Sequence, residues 1–83
     1  MEEKRQLEKI GRKIKSLRKT QKISLQELSE RTGIREKYLK KIEEGMAIRL
    51  SIGTLEIITK SFGLEVKEFF HELEKNNSRS GIA

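Results

Sequence analysis

The sequence predicts an all-α domain of five short helices, and three observations carry that expectation. Apolar residues recur at spacings of three and four, polar capping residues precede several of these runs, and glycines close two of them. At 83 residues the chain is long enough for one small domain, and residues 1–75 are expected to form it, with 76–83 as a flexible tail.

Leu7, Ile10, Ile14 and Leu17 fall on one stripe of a first helix, about Gln6 to Thr20, with Lys and Arg around the remainder. Ser24 is an N-cap residue, and Glu27 three positions on completes the pattern of a capping box, so a second helix runs from about Leu25 to Thr32. Gly33 can adopt the left-handed conformation that closes it. Leu39 and Ile42 lie three apart on a third helix, about Arg35 to Glu44, which Gly45 stops. Ser51 or Thr54 starts the fourth, with Leu55, Ile58 and Phe62 as its apolar positions. Gly63 and Leu64 make a corner before a fifth helix, about Glu65 to Glu74, which carries Val66, Phe69, Phe70 and Leu73.

Composition narrows the function. The chain has 34% hydrophobic and 39% charged residues, too few apolar groups for a large core, yet their regular spacing argues against disorder. It has no cysteine, which excludes disulfides and thiolate metal sites, and one histidine, His71, which cannot hold a metal alone. No apolar run reaches membrane-spanning length, so an intracellular, cytoplasmic location is expected. No nucleophile stands at a recognisable spacing from a base, and there is no glycine-rich phosphate loop, so neither an enzyme nor a cofactor site is expected.

The formal charge is +6 and unevenly spread. Residues 1–22 hold nine Lys and Arg against three Glu, whereas residues 23–45 and residues 46–83 each hold five cations against five acids. The whole excess lies in the first quarter of the chain, where a polyanionic partner and a solvated helix face are both compatible with it.

The second and third helices agree at several positions together. Counting from Leu25, the fourth residue is Leu28, the fifth the small Ser29, the ninth Gly33, the tenth Ile34, the fifteenth Leu39 and the eighteenth Ile42. A small residue lets two helices cross closely, a glycine makes the turn, and the apolar positions face the other helices. This is helix-turn-helix spacing.

With "LRK" at 17–19, "ISLQELSERTGI" at 23–34, "YLKKIEEG" at 38–45 and "TLEIITKSFGLEVKEFF" at 54–70, the chain from Ile10 to Phe70 resembles the Cro and phage-repressor-like, XRE-type helix-turn-helix family. Small repressors and the controller proteins of restriction–modification systems are among its members. The resemblance implies a five-helix, lambda-repressor-like DNA-binding domain that regulates transcription from double-stranded operator DNA as a homodimer, in a bacterium, archaeon or phage. It places Arg35, Glu36, Lys37, Tyr38, Lys40 and Lys41 toward base edges or phosphates, Ser24 at a phosphate clamp, and Arg49 near the backbone or minor groove. It assigns Arg18 and Glu43 to a structural ion pair between the first and third helices. No membrane and no small-molecule ligand is implied.

Three positions depart from the family pattern, the first being Arg35, which replaces the usual small N-cap of the third helix. Leu25 replaces a glutamine that contacts phosphate, and Glu44 stands where an Arg or Asn often faces the backbone. Leu25 and Glu44 also occur in a pattern similar to modules of bacterial cell-shape proteins that hold a cytoskeletal partner, so the alternative reading is a protein-interaction module, adaptor-like or antitoxin-like. Phe69 and Phe70 point about 100° apart on a helix. One is therefore expected inside, and the other, with Val66 or Leu73, at a homodimer interface.

Overall fold

The computed structural model describes the backbone of residues 2–82 and the side chains of residues 4–74. Five helices follow one another: α1 (Glu2–Thr20), α2 (Leu25–Thr32), α3 (Glu36–Glu43), α4 (Ile52–Ser61) and α5 (Val66–Ile82). The described residues contain no strand. The fold is all-α, as the spacing of apolar residues predicts.

Every helix contributes to one core. Ile10 and Ile14 come from α1, Leu28 from α2, Leu39 and Ile42 from α3, Leu55 and Ile58 from α4, and Phe69 and Leu73 from α5. Ile23, Ala47 and Phe62 close it from the connecting segments. Burying each of the larger side chains is worth roughly 1.5–3 kcal/mol, which matters in a domain this small. α3 packs against both α1 and α2, and α5 closes on α1 and α4. The contacts hold α3 from behind and leave its other face to solvent.

Local chemistry sets the helix ends. The Ser24 hydroxyl oxygen accepts from the Glu27 N–H at 3.0 Å, which fixes the start of α2. The reciprocal half of the expected capping box does not form, because the Glu27 carboxylate turns outward to Arg31 at 3.3 Å. Gly33 takes φ 77° and donates its N–H to the Ser29 carbonyl at 2.8 Å, closing α2. Ser29 also donates its hydroxyl to the Ile34 carbonyl across the turn. Its small size is thus only part of its function. Ser51, rather than Thr54, caps α4, accepting from the Thr54 N–H at 3.1 Å.

α1 and α5 are both longer than expected. α1 begins at Glu2 instead of about Gln6, and α5 continues to Ile82 instead of ending near Glu74. Apolar periodicity marks only the part of a helix that touches the core, so polar extensions at either end carry no such signal. The side chains of the expected tail, 76–83, lie outside the described residues.

Two features of α1 and its end leave no signal in the sequence pattern. Gly11 lies in the helix interior, where glycine costs about 1 kcal/mol relative to alanine. A Cβ there would run into the Ile42 carbonyl oxygen and stand 2.7 Å from that of Glu43, so glycine is what lets α1 lie against the end of α3. Lys22 has φ 58°, a left-handed residue in the turn after α1, where the Ile23 N–H reaches back to the Arg18 carbonyl at 3.0 Å.

Candidate nucleic-acid interface

α3 begins without a side-chain cap. Arg35 precedes it in an extended conformation, φ −59° and ψ 138°, and its side chain caps no amide. The guanidinium is therefore available to solvent at the end of the helix where amide N–H groups are free. Glu36 stands in the first turn, where a carboxylate is favoured by the helix dipole. That position gives it a structural reason to be acidic in addition to any reading of bases.

Leu39, Ile42 and Glu43 are buried and define the inner side of α3, while Lys37, Lys40, Lys41 and Glu44 are exposed. Lys37 and Lys41 are one helical turn apart, on the same row. With Arg35 and Tyr38 they line a shallow depression of about 160 Å³. Tyr38 is half-buried and its ring packs on the core, so its body anchors the helix while its edge borders this depression. Among the described residues no carboxylate pairs with Arg35, Lys37, Lys40, Lys41 or Arg49, whereas Arg18, Lys13 and Arg31 are all in ion pairs. Arg49 lies exposed in the α3–α4 connection, apart from that depression.

The orientation of α3 depends on a buried contact. The Arg18 Nε donates to Glu43 Oε2 at 2.6 Å, its Nη2 to Oε1 at 3.1 Å, and its Nη1 to the Ile23 carbonyl at 2.8 Å. The hydrogen bond to Glu43 holds the guanidinium above its ordinary range, against the opposing effect of burial. α1, the turn before α2 and the end of α3 are thereby tied together by one side chain.

A family model for a helix-turn-helix domain matches residues 11–75, most of the chain. The chain belongs to this XRE-type helix-turn-helix family. No curated protein and no solved structure gives a match. Membership puts the chain in a DNA-binding class of domain, with α2 and α3 as the helix-turn-helix pair.

The fifth helix separates its two phenylalanines as the 100° between them requires. Phe69 is the one that lies inside, and Leu73, one of the two further residues that the sequence offers for a dimer interface, joins it there. Both are buried in this helix-turn-helix domain's own core, because α5 turns that side toward α1 and α4. Val66 and Phe70 are half-buried, and the Phe70 ring meets Phe69 edge-on at 5.7 Å. Large exposed apolar side chains lie elsewhere. Met46 is 64% exposed, Ile48 87% and Ile52 65%, a short segment running from the end of α3 into α4. Sequence alone does not distinguish them from core residues, since Ala47 between two of them is buried. Leu25, the departure from the family pattern, packs against the core, and Glu44 is exposed.

Proposed function

We propose that the protein is a sequence-specific regulator of transcription that binds a palindromic operator as a homodimer, with α3 in the major groove. The observation that carries this reading is the outer face of α3. Lys37 and Lys41 flank one depression with Arg35, and none of the three has an acidic partner among the described residues. Lysine donates to the O6 and N7 acceptors of guanine, and Glu36 can accept from the amino group of cytosine. Lys40 and Arg49 supply charge for the adjacent phosphates. At Ser24, the amides at the start of α2 supply a phosphate clamp, because a helix N-terminus presents N–H donors and a positive dipole end.

Two copies on a palindrome must place their recognition helices about 34 Å apart. Met46, Ile48 and Ile52 are apolar surface that a second copy can cover, next to the end of α3, and they take the role for which Leu73, buried in the core, is not available. The protein works in the cytoplasm, where its operator is. None of its described helices is long and apolar enough to cross a membrane.

The test is binding of a selected operator by wild type and by Lys37→Ala/Lys41→Ala. The double variant is expected to stay folded and to lose discrimination between bases, by about 1–3 kcal/mol for each lysine that reads a base. Unchanged discrimination overturns the assignment of α3. The same exposed apolar segment favours the second reading, a protein-interaction module, which predicts partner binding that persists at high salt and no preference among DNA sequences.

A further inference from the structure

The net positive charge of the chain does not lie on α3. Over the whole sequence it is carried by residues 1–22, and in the structure that segment is α1 and the turn after it. Lys13 pairs with Glu72 at 2.9 Å and Arg18 with Glu43, so both are internal links. Lys4, Arg5, Arg12, Lys15 and Lys19 are exposed, and no described carboxylate pairs with any of them.

Their placement follows from helix geometry. Arg5, Arg12 and Lys19 recur every seven residues, so they form one row along α1. Lys4 and Lys15 fall on the same face as Gly11, seven residues before it and four after. Gly11 is where α1 touches α3, against the Ile42 and Glu43 carbonyls, and a Cβ on Gly45 would stand 2.9 Å from the Glu8 backbone. Lys4 and Lys15 therefore flank this contact along α1, and both are exposed. The acids at this seam are Glu8, half-buried, and Glu44, exposed. They offset only part of the charge.

We propose that α1 is a second nucleic-acid contact, whose Lys4, Arg5, Arg12, Lys15 and Lys19 bind the sugar-phosphate backbone of the duplex flanking the bases that α3 reads. This rests on the DNA-binding reading of α3 and extends it. Lys4 and Arg5, exposed on the part of α1 that precedes the first core residue, Ile10, gain a function. In this role the cations of α1 add backbone contacts to those of α3. The contact is to phosphate, so it adds affinity and salt dependence without adding preference for any base.

The experiment compares wild type with a Lys4→Gln, Arg5→Gln, Arg12→Gln, Lys15→Gln variant. Glutamine keeps a similar helix propensity and none of the four positions is in the core. Affinity for a selected duplex is measured against salt concentration, with flanks intact and with flanks trimmed. Circular dichroism checks the fold. The proposal predicts that the slope of log K against log salt becomes shallower by about 0.9 for each phosphate that the variant no longer neutralises. It also predicts that trimming weakens wild type more than the variant. An unchanged slope with sequence preference retained overturns the role of α1 and leaves α3 as the reader. If wild type selects no sequence but the variant still has the shallower slope on random duplex, α1 stands as a phosphate contact and the operator reading falls.

Discussion

The Arg18 guanidinium grips the Glu43 carboxylate with two nitrogens and the Ile23 carbonyl with the third, so one side chain joins α1, the following turn and the end of α3. The Arg18 side chain is 12% exposed and that of Glu43 4%. Removing one partner leaves a desolvated charge with no counter-ion. Arg18→Ala is therefore expected to cost about 3–5 kcal/mol in urea denaturation, whereas Arg18→Met/Glu43→Leu recovers most of the loss. A double variant as unstable as the single one contradicts this. The pH dependence follows from the raised pKa of Arg18. A folded-state pKa above the unfolded one gives stability that is complete below the unfolded value and lost only as pH rises through the folded value. The contribution of Arg18 is thus flat across neutral pH and falls only in strong alkali.

Gly11 and Gly53 both lie in helices and invite the same substitution with opposite results. At Gly11 a Cβ meets carbonyl oxygens of the α3 backbone, which cannot move aside cheaply, while at Gly53 the nearest atom is the Ser51 hydroxyl oxygen at 3.9 Å. Gly11→Ala is expected to destabilise by about 1–3 kcal/mol despite its better propensity. Gly53→Ala is expected to stabilise by roughly 0.5–1 kcal/mol. Thermal denaturation of the pair decides it, and equal shifts in one direction contradict the packing of α1 on α3.

Lys22 pays for its left-handed φ of 58° with steric strain that glycine lacks. Because the side chain is exposed and the turn already has its backbone bonds, Lys22→Gly loses no packing. The expected gain is about 1 kcal/mol, reduced by the greater freedom of glycine in the unfolded chain. A loss of stability contradicts the strain at this position.

If Met46, Ile48 and Ile52 are covered by a second copy, polar replacement weakens the dimer without touching the core. Ile48→Ser/Ile52→Ser is expected to raise the dimer dissociation constant at least tenfold in sedimentation equilibrium, about 1.4 kcal/mol, with an unchanged helical spectrum. A dimer indifferent to both substitutions puts the interface elsewhere.

The parts of this protein legible in its sequence are those with a local signal. Ile10, Ile14, Leu39, Ile42, Leu55 and Ile58 repeat at helical spacing and lie in the core, and Gly33 and Ser24 mark ends by their own backbone and side-chain chemistry. The exposed face of α3 follows from the same periodicity, because positions between buried ones must point away. Non-local facts left no trace. Gly11 is explained only by a carbonyl more than thirty residues further along the chain. The 100° between Phe69 and Phe70 requires that they diverge, but which one points inward depends on how α5 meets α1 and α4. Ile48 and Ala47 are both apolar in sequence, and only the path of the α3–α4 connection separates the exposed one from the buried one. Lys4, Arg5 and Gln6 lack periodicity because they are exposed and touch no core.

Whether the outer face of α3 reads an operator is decided by selecting bound sequences from a random duplex pool at moderate salt. An enriched inverted repeat with half-sites about one helical turn apart is the predicted result, with that enrichment gone in Lys37→Ala/Lys41→Ala. A pool that stays random with folded wild-type protein contradicts the operator reading.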